Sequence, residues 1–168
     1  MLNKCRGMIP TPVWEPSDEF AGAKRLAWGL LVDAIMKSTL SNDINSPRVV
    51  TSPDALIGLV ESREWLTTED ETSPITRTMC ITMLNIGEVS LFDSLRHLWL
   101  RREEKMTSHV RNKLGAVRGA IMQEKQAVRT KRKYKLRGEF AGKNDRMVML
   151  LRRAMASMSE TNALIGAR

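Results

Sequence analysis

From residue 91 to residue 128, apolar side chains recur at a spacing that places them along one side of a helix. Leu91, Leu95, Leu98 and Trp99, with Arg102 on the same side, lead into Met106, Val110, Leu114, Val117, Ile121 and Val128, with later steps of four, four, three, four and seven. An α-helix turns once in about 3.6 residues, so these positions form a single stripe. Gly115 and Gly119 each weaken such a helix by roughly 1 kcal/mol relative to Ala, and residues 104–108 are where a break would fall. A chain of 168 residues that commits this much length to one amphipathic helix is expected to be all-α.

The flanking segments carry their own helix signals. Ser17, followed by Asp18 and Glu19, is a good N-cap with an acidic first turn, and Phe20, Ala23, Ala27, Leu30, Leu31, Ala34 and Ile35 then fall at helical spacing to about residue 39. After the polar stretch TLSNDINSPR, Ser52 and Pro53 mark a second start, and Leu56, Ile57, Leu59, Val60, Trp65 and Leu66 form its stripe. The acidic TTEDETSP interrupts, and a third helix over about 75–84 presents Ile75, Met79, Cys80 and Met83. Asn85 and Gly87 tolerate left-handed backbone and supply a turn, and Ser90 with Asp93 resembles a capping box that starts the long helix near Leu91. Gly138 and Gly142 end the basic stretch beyond it, Asn144 or Asp145 caps a last helix, and ETNALIGAR reads as a tail. The expectation is five or six helices: a helix-turn-helix-like unit, a long basic helix and a short Met-rich helix.

Charge divides the chain in two. Residues 1–100 hold nine Lys or Arg against thirteen Asp or Glu, and residues 101–168 hold eighteen against six, so the two parts carry −4 and +12. The organisation this implies is an extended arm over 1–16, an acidic helical domain over 17–104 and a basic helical arm over 105–168. A cationic half is a footprint of nucleic acid, whose condensed counterions are released when phosphates are neutralised; solubility or an acidic protein partner is the plainer reading. The densest part, AVRTKRKYKLRGEF over 127–140, has six Lys or Arg and one Glu. Arg118, Lys125, Arg129, Lys131, Arg132, Lys133, Lys135 and Arg137 are the expected phosphate contacts, and Tyr134 offers a ring that stacks on a base.

The turn at 85–87 lies between two amphipathic stretches, the arrangement of a helix-turn-helix, in which the second helix presents its far side to a major groove. With Leu91, Leu95 and Leu98 inward, Ser94, Arg96, His97 and Arg101 are the expected outward contacts. Asp93 on that side repels phosphate and favours the plainer reading, an ordinary αα-hairpin. REWL, TTEDETSP, CITMLNI and SLFDSLRHLWLRR, over about residues 61–102, resemble the pattern of small helix-turn-helix DNA-binding proteins of phages and mobile elements, with Asn85 where the turn glycine of that pattern stands. The resemblance implies DNA binding in a regulatory role.

No catalytic signature is present. His97 and His109 are twelve residues apart with no carboxylate or Cys at metal-ligand spacing, and GxSxG, P-loop, HExxH and paired-carboxylate arrangements do not occur. Cys5 and Cys80 form no CxxC, so neither a zinc site nor a disulfide framework is expected. MLNKCRGMIPTPVWEP has no apolar run of signal-peptide length, and no stretch of eighteen apolar residues occurs, so a soluble, intracellular protein without membrane contact is expected. Met147, Leu151, Met155 and Met158 on the last helix are the expected seam for a homodimer or another partner. The expected function is noncatalytic nucleic-acid binding without cofactor or metal, to DNA ahead of RNA. A virus- or phage-encoded interaction protein that docks on a larger nucleoprotein machine, as inhibitor or ribonucleoprotein subunit, and an RNA-packaging protein are the competing readings.

Overall fold

The computed structural model describes residues 19–41, 48–68, 74–130 and 139–166. Among them are five helices and no strand: α1 (Ala21–Lys37), α2 (Pro53–Thr67), α3 (Arg77–Met83), α4 (Glu88–Thr130) and α5 (Glu139–Gly166). The fold is all-α, as the apolar periodicity requires.

The long stripe is one uninterrupted helix. α4 has 43 residues, a length of about 65 Å at 1.5 Å per residue. Residues 104–108 continue the helix without a break, and Gly115 and Gly119 sit inside it, because a cost of roughly 1 kcal/mol per glycine is small against the packing of a whole face. The stripe enters two different cores. Leu91, Leu95 and Trp99 pack with Leu31 and Ala34 of α1, Leu66 of α2 and Ile81 of α3. Met106, Val110 and Leu114 pack with Leu40, with Leu56, Leu59 and Val60 of α2, and with Leu151, Ala154 and Met158 of α5. The 104/105 boundary suggested by charge therefore runs through the middle of a helix, and the basic region is packed on the acidic one. Eight residues separate α4 from α5, and Glu103 of α4 and Thr161 of α5 both meet Arg63 of α2. α5 thus runs back antiparallel along α4.

α1 and α3 end in the same way. The Ser41 N–H donates to the Met36 carbonyl at 3.3 Å and that of Leu40 to Lys37 at 3.0 Å; Ile86 donates to Ile81 at 2.8 Å and Asn85 to Thr82 at 3.1 Å. Each pair is a Schellman closure, which places one residue in the left-handed region. Asn85 (φ 54°) does so readily, whereas Leu40 (φ 50°) is strained there. Burial of the Leu40 side chain in the core with Leu56 and Met106 offsets that strain. The stretch TLSNDINSPR accordingly starts inside the protein: Thr39, Leu40 and Ser41 are buried, as is the preceding Ser38.

Local signals place some boundaries and miss others. The Ser52 Oγ accepts from the Ala55 N–H at 3.2 Å with Pro53 first in α2, as its sequence indicates. α3 is capped by Thr76, whose Oγ1 accepts from the Met79 N–H at 3.2 Å. Its inward face is Arg77, Cys80 and Ile81, and Met79 and Met83, expected inside, are exposed, since seven residues are too few for apolar spacing to set the phase. α4 begins at Glu88 and carries Ser90 inside it, because a carboxylate suits the helix N-terminus and Glu88 is tied to Arg77. α5 starts at Glu139 instead of after Asn144 or Asp145, takes Gly142 within it, and continues through the expected tail, where Thr161 is buried. Ser17, the expected cap of α1, lies outside the described residues.

Candidate nucleic-acid interface

The side of α4 that faces the body is held by two buried arginines. Arg63 of α2 is fully buried: its Nε donates to the Ser38 carbonyl at 3.1 Å, and its Nη1 donates to Thr161 Oγ1 at 2.7 Å and to the Met158 carbonyl at 3.4 Å. The guanidinium lies 4.6 Å from the centre of the Trp99 ring, with Nη2 3.7 Å from the Glu103 carboxylate. Burial pulls this group down to about 10 and Glu103 opposes the shift, so it stays charged at neutral pH. The Trp99 Nε1 donates to Ser38 Oγ at 2.9 Å, completing a polar node between the two cores.

Arg77, at the start of α3, repeats the device. It donates to the Leu66 carbonyl and to Glu88 Oε1, both at 2.8 Å, and lies 4.9 Å from the centre of the Phe92 ring. Each arginine satisfies a carbonyl at the C-terminal end of the helix before its own, pairs with a glutamate of α4 and covers an aromatic of α4. Together they fix the rotation of α4 about its axis, and so decide which side chains point out.

One mostly polar row, the outer seam, runs along the outward side of α4. His97, Arg101, Glu104, Ser108, Arg111, Gly115, Arg118, Met122 and Lys125 follow one another at alternating steps of four and three, and all are exposed. The seam is about 42 Å long at 1.5 Å per residue. Arg101, Arg111, Arg118 and Lys125 have no ion-pair partner among the described residues. Glu104 is the single acid of the seam. On α5, Lys143, Arg146, Arg152 and Arg153 are exposed as well.

The expected contact residues are distributed unevenly. His97 and Arg101, proposed as groove readers, and Arg118 and Lys125, proposed as phosphate contacts, lie on this one seam, because α4 does not break between them. Ser94 is beside it and exposed, with its Oγ donating to the Ser90 carbonyl at 2.9 Å. Arg96 is exposed but turned about 100° from His97, one residue's rotation, and is not part of the seam. The first turns of α4 offer Glu88, Val89 and Asp93 and no cation before Arg96. Arg129 falls within the span of α4; Lys131, Arg132, Lys133, Tyr134, Lys135 and Arg137 lie outside the described residues.

Two further corrections follow from the geometry. Met147, Leu151, Met155 and Met158, expected as a partner seam, belong to the chain's own core: Leu151 and Met158 are buried against α2 and α4, with Met147 and Met155 packed beside them. Arg111, absent from the expected contacts, is central to the seam. Its seven-residue spacing to Arg118, repeated from Arg118 to Lys125, is the signal that would have found it. Burial pushes the Cys80 thiol up, which keeps it protonated and unreactive. Among the described residues no group of three or more His, Cys, Asp or Glu is placed to hold a metal, and no helix is long and apolar enough to cross a membrane.

No protein-family model, curated protein or solved structure matches the chain.

Proposed function

We propose that the protein binds nucleic acid without catalysing a reaction, laying the outer seam of α4 along the phosphates. The observation that carries this reading is the row Arg101, Arg111, Arg118 and Lys125, exposed and without ion-pair partners among the described residues, on one unbroken helix. Unpaired cations in line attract a polyanion and release its counterions on contact. Duplex DNA is the expected target, since a rigid row of charge suits a rigid polyanion. Contacts of this kind position a duplex and carry no sequence information; any sequence choice would fall to Ser94, His97 and Arg101, in the helix-turn-helix manner that α3, the turn at Asn85 and the start of α4 resemble. A role as a regulator of a phage or mobile element belongs to the same proposal and rests on that resemblance alone.

The test is a binding titration with duplex DNA, single-stranded DNA and RNA over a range of salt. The logarithm of the binding constant should fall linearly with the logarithm of salt concentration for the duplex. Replacing Arg111, Arg118 and Lys125 with Ala should weaken binding to unrelated sequences alike and reduce the slope by roughly 0.9 for each phosphate contact removed. Unchanged affinity in that triple variant, or no binding to any nucleic acid at low ionic strength, would reject the proposal.

A further inference from the structure

α1 turns Ala27, Leu31 and Ala34, its buried residues, toward the body. Its opposite side carries Arg25, Leu26, Gly29, Val32, Asp33 and Met36, which recur at helical spacing over three turns. Arg25, Gly29 and Asp33 are exposed, Leu26 is 56% exposed, and Val32 and Met36 are half-buried. Arg25 has no ion-pair partner among the described residues, and Asp33 pairs only along its own helix, with Lys37 at 2.6 Å. We infer that this side of α1 pairs antiparallel with α1 of a second copy of the chain, about a two-fold axis at Gly29.

The order of the residues selects that occupant. Gly29 is the central residue of α1, which runs from Ala21 to Lys37. In an antiparallel pair with two-fold symmetry, each residue lies level with the one equally far beyond the centre of the other helix. Arg25 then lies level with Asp33 of the second copy, Leu26 with Val32, Met36 with Gly22, and Gly29 with itself. A Cβ at Gly22 or Gly29 would meet nothing within 4 Å, so the main chain is bare at both places. Gly29 lets the two helices cross close together, and Gly22 leaves a hole for the Met36 side chain. Opposite charges meet twice, whereas a parallel pair would set Arg25 on Arg25 and Asp33 on Asp33. With one cation and one acid the face has no net pull on a polyanion, and a foreign helix would have to carry this same order in reverse. The inference goes beyond nucleic-acid binding and does not rest on it, because the phosphate-binding row belongs to α4.

Sedimentation equilibrium on the full chain, without nucleic acid, tests it. One helix from each copy is a small interface, so a dimer with a dissociation constant on the order of 1–100 μM is expected. Gly29→Leu fills the crossing point and should weaken dimerisation at least about tenfold. The same variant, at a concentration where the chain is monomeric, should unfold at no lower temperature by circular dichroism, since the site is exposed and Leu favours helix over Gly. Arg25→Glu and Asp33→Arg should each weaken self-association, because each sets like charges level with one another. An equimolar mixture of these two variants should associate again, since one then offers two acids at these positions and the other two bases. A monomer at every concentration up to about 500 μM, a dimer indifferent to Gly29→Leu, or a mixture that associates no better than its separate components would each overturn the inference. Because nucleic acid is absent throughout, none of these outcomes bears on the phosphate-binding proposal.

Discussion

The two sides of α4 use positive charge in opposite ways. Behind it, Arg63 and Arg77 are buried, bonded to helix-end carbonyls, stacked on Trp99 and Phe92 and paired with Glu103 and Glu88. In front, Arg101, Arg111, Arg118 and Lys125 are exposed and unpaired among the described residues. The buried pair comes from the acidic part of the chain and the exposed row from the basic part. Cations held inside act on stability and orientation, and those outside are free to act on a partner. Substitutions should separate the two roles cleanly, and a variant that moves both quantities would break the distinction.

The largest effect belongs to Arg63. Arg63→Ala removes the group that joins α1, α2, α4 and α5, leaving the Ser38 carbonyl and the partly buried Glu103 carboxylate without it. Loss of one member of a buried ion pair costs about 3–5 kcal/mol, read as a lower urea midpoint. Arg63→Met combined with Glu103→Leu should recover much of that loss, since apolar side chains of similar volume then occupy the node. Arg77→Ala should cost less, about 1–3 kcal/mol, because Glu88, its partner, has 51% of its side chain exposed and regains water. Neither change should alter nucleic-acid affinity under conditions where the variant is folded. By contrast, Arg111→Ala should leave stability within about 0.5 kcal/mol and weaken binding. A seam variant that melts like Arg63→Ala would show that α4 is not anchored from behind in the way described.

The same contrast explains what the sequence disclosed. The stripe from Leu91 to Leu114 was legible because it repeats over many turns, and a long period fixes helix, face and phase together. α3 was not: in seven residues Met79 and Met83 look as core-like as Cys80 and Ile81, and the phase is set by Arg77, whose partners Leu66 and Glu88 are eleven residues away on either side. Asn85 was legible as a left-handed turn residue, since its type permits the angle. Leu40 was not, since only its tertiary burial accounts for it. The charge boundary at 104/105 falls inside α4 because charge reports on surfaces, whereas Met106 and Val110 continue the helix through it. Arg63 has no sequence signature, as its partners Ser38, Trp99 and Thr161 converge only in the folded chain. Three of the four residues of the outer row were legible, Arg101 by its outward position and Arg118 and Lys125 by density, and Arg111 needed the phase of α4.

The smallest effect lies on the outer side itself. Gly115 is on the seam and Gly119 one turn further along, both exposed, and a Cβ at either would meet nothing within 4 Å. Nothing among the described residues therefore requires glycine at these two places, and each leaves the helix weaker than Ala would. Gly115→Ala and Gly119→Ala should each raise stability by roughly 0.5–1 kcal/mol, as an increase in the urea midpoint at constant slope. The absence of any gain would mean that distal α4 does not expose a plain helical surface, and the separation of inner from outer side would fail there. Loss of nucleic-acid affinity alongside the gain would sharpen it instead, because a single methyl group obstructs only a partner that approaches the main chain at Gly115 or Gly119.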